Sequence, residues 1–177
     1  MASVEQTFLD FSAAKLRQYV SRIHACLERL DEEQVWRRAN EASNSVGNLC
    51  LHLAGNVRQW IVHGIAGEPD VRNRDAEFAA RGGWQKQQLL AHLDDAVQQA
   101  CEVLAALPHD ALLRLVRPQN YEVTVLEAVY HVVEHFSGHT GQIIAATKAM
   151  TGADLGFYRH LSGAAPPPPP PPGHEIP

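Results

Sequence analysis

Ten of the 177 residues are histidines, and three of them recur at four-residue steps in His131-Val-Val-Glu-His135-Phe-Ser-Gly-His139. On a helix, residues four apart share a face about 6 Å apart along the axis, so two imidazoles can reach one metal ion. All three span about 12 Å, too far for a single ion, so a pair has to be chosen. Val125, Val129, Val132, Val133, Phe136, Ile143 and Ile144 mark the apolar face of this helix. On a helical wheel His139 lies about 80° from the centre of that face, His135 about 120° and His131 about 160°. His135 and His139 are therefore the inward pair, flanked by the small Ala128 and Ala146, and His131 is a boundary residue beside the site.

The same string tests two rival chemistries. H-x-x-E-H, His131 to His135, is the inverzincin protease signature, in which the glutamate activates water. The wheel turns Glu134 outward, and the chain is short for such a protease, so this reading is disfavoured. A ferritin-type di-iron site needs Glu-x-x-His on two helices, and that spacing does not occur.

A third ligand has to come from another helix. His52 sits mid-helix among leucines, with Asn48, Asn56 and Gln59 on its side. A polar row along an apolar face is costly unless its groups are hydrogen-bonded. A metal with its surrounding partners satisfies that requirement, and so does a buried, hydrogen-bonded histidine without one. Both readings stand for His52 from its own residues. Cys50, two positions away, points into the core. His24, His63 and His92 fall on helix surfaces or ends, His109 follows Pro108 in a loop, His160 lies between the packing residues Phe157 and Leu161, and His174 is near the C-terminus. No residue stands out as a catalytic base. His131, Glu134 and Gln142 are near the pair in sequence only, and Arg72, Arg74 and Arg81 are read as solvated loop arginines, with reception of an anionic substrate the alternative.

The elements that must position these groups are helices. One runs from about Val4 to Leu30 and ends before Asp31. A second starts after Asn44 or Ser45, both good N-caps, and reaches about Gly64. A third runs from about Trp84 to Leu107, and a fourth from the Thr124 cap, with Glu127 completing a capping box, to Met150. No period-two run of β-branched residues lies outside them, so no sheet is expected. The fold class is all-α, a four-helix bundle, with the long connection 65–83 crossing between parallel helices 2 and 3. Phe78 within that connection implies an ordered loop or short helix over one end of the bundle.

Composition frames this reading. Hydrophobic residues make up 45% and charged residues 20%, as in one globular domain. Of eleven prolines, eight follow Ala165, so residues 1–163 read as the bundle domain and 164–177 as a solvated, proline-rich disordered tail. A net charge of −5 without a concentrated basic face argues against nucleic acid as a partner. No apolar run approaches a membrane span and the first residues lack a secretory signal, so a cytoplasmic protein with no membrane partner is expected. Cys26, Cys50 and Cys101 are odd in number and far apart, which predicts free thiols.

The strings Asn44-Ser-Val-Gly-Asn-Leu-Cys-Leu-His52-Leu-Ala-Gly-Asn-Val-Arg-Gln-Trp60 and Glu134-His135-Phe-Ser-Gly-His139-Thr-Gly-Gln-Ile143 resemble the DinB/YfiT-like superfamily of metal-dependent enzymes, over roughly residues 4 to 161. The resemblance implies a four-helix bundle in which His52, His135 and His139 bind one divalent metal, with water in the remaining positions and His131, Asn48, Asn56 and Gln142 as neighbours. Three imidazoles suit zinc or nickel first, then iron or manganese. The superfamily includes transferases and isomerases that use low-molecular-weight thiols, so the implied activity is that of a hydrolase or thiol S-transferase acting on a small-molecule substrate, with homodimers common. The alternative is a non-catalytic protein with a structural metal.

Overall fold

A computed structural model of the protein describes residues 3–161; the proline run and His174 lie outside the described residues. Helix α1 (Val4–Leu27) is capped by Ser3, whose side chain accepts from the Gln6 amide, and buries Leu9, Leu16, Ile23 and Leu27. It stops short of the expected Leu30. Asp31 opens a separate helix, α2 (Glu32–Trp36), with its own capping box to Gln34, so the chain turns where the sequence reading carried one helix onward.

Helix α3 (Val46–Val57) starts at Ser45 and continues as a π-helical segment, Arg58–His63. The Gly64 amide donates to the Gln59 carbonyl at 3.0 Å, five residues back. Such wide turns shift the phase of following side chains and often occur at functional sites. The crossover contains the short helix α4 (Arg74–Ala79), as Phe78 implied. Helix α5 covers Lys86–Ala106. Helix α6 (Val125–Thr151) has the expected Thr124–Glu127 capping box and ends at Gly152, whose φ of 67° only glycine adopts freely.

One expectation is corrected. Leu115–Val116 (β1) and Val123–Thr124 (β2) pair antiparallel, Leu115 with Thr124 and Val116 with Val123. Two residues per strand are too few for a period-two pattern to register in the sequence.

In the bundle α1 lies against α5 and α6, and α3 against the same two helices from the opposite corner. Gly47, at the start of α3, abuts the Trp36 ring, whose indole donates to the Trp84 carbonyl just before α5. Further along, Arg58 pairs with Asp95. Helices α3 and α5 therefore run parallel, as the long crossover required. All three cysteines are free and buried, and burial pushes the Cys50 thiol up to about 12 and raises those of Cys26 and Cys101. Among the described residues no helix is long and apolar enough to cross a membrane.

Candidate metal centre

His52 on α3 and His135 and His139 on α6 converge between the two helices. One ligand nitrogen from each lies within 4.8 Å of the others. The α6 pair is one turn apart with ring centroids at 4.4 Å, and each ring sits about 5 Å from His52, at 4.9 and 5.1 Å. His52 is buried and the α6 pair half-buried, so the cluster faces the core on one side and a cavity on the other.

Each ring is oriented by a partner. His52 Nδ1 lies 3.0 Å from Glu77 Oε2 and 3.0 Å from Arg72 Nη2. The carboxylate can only accept, so Nδ1 carries the proton and donates to Glu77, leaving Nε2 for the cluster. Arg72 then serves Glu77, donating from Nε to Oε1 at 2.7 Å and from Nη2 to Oε2 at 2.8 Å. His139 Nδ1 donates to Gln142 Oε1 at 2.7 Å, which frees its Nε2 in the same way. His135 Nε2 faces His52 Nε2 at 2.9 Å.

The electrostatics keep the two α6 rings neutral. Burial, then the neighbouring His139, His52 and His131 and the Arg72 charge, push His135 down to about 3. Burial also lowers His139 against the opposing Gln142 hydrogen bond. For Glu77, burial pushes the carboxyl up, but the hydrogen bonds and charges of Arg72 and His52 outweigh it and hold it below the usual range. Metal ligands have to be neutral imidazoles with a free nitrogen, and carboxylate-backed histidines are the common way of fixing one. The donor set therefore fits a divalent first-row ion.

Glu77 was not singled out by the sequence. It reaches His52 because Gly55, one turn from it, has no side chain: a Cβ there would stand 2.0 Å from Glu77 Oε1. A glycine in the middle of an apolar helix was the available sign of a close approach. Arg72 is no solvated loop residue; its side chain is 3% exposed and it also donates to Gln59 Oε1 at 2.9 Å. Arg81 donates to the carbonyls of residues 78–80, closing the end of α4, while Arg74 rests over the Phe78 ring.

The other expected neighbours take different places. His131 packs at a tilt against Trp60, with ring centroids 4.0 Å apart, and stacks on His135 at 5.5 Å, outside the three-nitrogen cluster. Burial lowers it, against a raising Glu134 charge. Asn48 makes no hydrogen bond to His52; it pins the crossover by donating to the carbonyls of Glu77 and Ala80. Asn56 is buried with an Oδ1 that meets no hydrogen-bond partner. Glu134 is exposed, as the wheel placed it. His24 pairs with Asp94, His92 packs its ring at a tilt against Trp84, and His63 donates to the Glu68 carbonyl. His160 is exposed.

A cavity of about 450 Å³ opens beside the cluster, lined by His52, Asn56, Trp60, Arg74, Tyr121, His131 and His135 among others. A larger groove of about 1040 Å³ runs between α3 and α5 under the crossover and includes none of the three clustered histidines. Arg72 lines both.

Residues 3–162 match the family described as "Protein of unknown function (DUF1572)". The chain belongs to the DUF1572 family. Its fold is DinB-like. A conserved protein from Enterococcus faecalis is similar over 86% of this chain and 100% of its own, with a TM-score of 0.69 at 18% identity. A DinB-like protein of Bacillus subtilis, YjoA, is similar over 83% of this chain and 96% of its own, with a TM-score of 0.63 at 16% identity. At those identities the likeness extends to the DUF1572 fold alone. No curated protein matches the sequence.

Proposed function

We propose that the protein is a metal-dependent enzyme in which His52, His135 and His139 hold one divalent ion, and that it acts on a small molecule by hydrolysis or by transfer of a low-molecular-weight thiol. The observation that carries this reading is the convergence of three imidazole nitrogens within 4.8 Å at the edge of an open cavity. A divalent ion with three protein ligands supplies a Lewis acid with a position left for substrate. The chain's own groups do the positioning. Glu77 holds the proton on His52 Nδ1, Gln142 holds that on His139 Nδ1, and the aromatic rings of Trp60 and His131 wall the approach. Homodimerisation belongs to the same reading and is checked by sedimentation.

The test is the metal content of the purified protein and of His52→Ala, His135→Ala and His139→Ala. Stoichiometric zinc or nickel in the parent and loss of it in each variant is the expected result; variants that keep it place the ion elsewhere. A structural ion is the competing reading, favoured by the way the cluster ties α3 to α6. Chelation separates the two, because removing a structural ion unfolds the bundle while removing a catalytic one leaves it folded and inactive.

A further inference from the structure

We infer that the cavity beside the three histidines takes a small organic carboxylate anchored by Arg74, an inference that rests on that cavity being the substrate pocket. One part of its lining is aromatic: Trp60 and Tyr121 stack with centroids 6.0 Å apart, and His131 lies 4.0 Å from Trp60. Such a wall accommodates a flat or apolar body.

Charge supplies the second part. Arg72 and Glu77 neutralise each other through two hydrogen bonds. Glu127, the acid lining the cavity, is held by the Thr124 amide and hydroxyl, both at 2.7 Å, at the start of α6, where the helix dipole compensates it. Arg74 has no such partner. Its guanidinium lies 4.9 Å over the Phe78 ring, is exposed, and forms no ion pair among the described residues. A planar guanidinium left free at a pocket matches a carboxylate in bidentate fashion.

Asn56 lies one turn beyond His52 and lines the same cavity, but its unpartnered Oδ1 has no accessible surface, so it sets no requirement on the ligand. The ligand class is thus a carboxylate with a flat or apolar body.

Ligand-observed NMR with 3-hydroxybenzoate and its neutral counterpart 3-hydroxybenzamide tests this on the full chain, both metal-supplied and chelated. The carboxylate should bind more tightly than the amide in both forms. Arg74→Ala should weaken the carboxylate about tenfold, with Arg74→Lys recovering part of it, and should leave the amide unchanged. Arg58→Ala, in the larger groove, should change neither. A carboxylate that does not bind, binds no better than the amide, or is insensitive to Arg74→Ala overturns the inference. Metal content, read separately, decides the metal reading: a chelated protein that still binds the carboxylate through Arg74 keeps this inference even where the three-histidine variants retain their ion.

Discussion

The bundle has two seams made of different materials. The core faces of α1 and α5 are apolar, with Leu16, Ile23, Leu93, Val97 and Leu104 buried; the charged crossing, His24 with Asp94, sits at the exposed rim, and within the core, among the described residues, only the weak Cys101 thiol donor meets the Ala13 carbonyl. The faces of α3 and α6 bury His52, Asn56 and Thr140 and bring in His135 and His139. An apolar seam needs only shape, whereas each buried polar group needs a partner. The second seam therefore recruits outside help: α4 exists to deliver Glu77, and Arg72 to neutralise it. Stability resides mainly in one seam and chemistry in the other, and the crossover makes the second tolerable.

The strongest challenge to that division is Glu77→Gln. It leaves the Arg72 charge buried and unpaired, a change expected to cost about 3–5 kcal/mol in urea unfolding. It should also lower metal affinity by about tenfold or more, because the His52 tautomer is no longer fixed. A variant as stable as the parent would mean that the crossover does not support the site. Leu93→Ala, fully buried on α5, should cost about 2–5 kcal/mol yet leave metal stoichiometry of the folded protein unchanged. Loss of metal there would show the seams to be coupled. Gly55→Ala should cost about 1–3 kcal/mol by forcing Glu77 aside, with metal affinity, measured by competition with a chromophoric chelator, falling as well. Smallest is Thr124→Ala, which removes the α6 cap and should cost about 1 kcal/mol in thermal unfolding with no effect on metal binding.

The long helices were legible because their apolar spacing and caps are local: Ser45 and Thr124 cap where expected. The wheel separated His135 and His139 from His131 for the same reason, since facing on one helix is a property of one segment. His52 was legible as part of a polar row but undecided, because only a second helix could show what it meets. Glu77 and Arg72 were missed or misread because their roles exist only once a connection folds back, 25 residues from His52 in the case of Glu77. Asn48 was placed beside His52 by spacing, yet its side chain points at the crossover it secures. The π-helical segment left no sequence pattern, as a single wide turn changes hydrogen bonding without changing composition.

The buried cysteines have a practical consequence. With thiols sealed in the core and held protonated well above neutral pH, the native chain offers no reactive sulfur of its own. Sulfur chemistry observed with the protein has to enter from solution, and an alkylating reagent will register only those molecules that have opened. The rate of alkylation is then a clock for opening of the bundle, readable in the presence and absence of metal without any knowledge of the substrate.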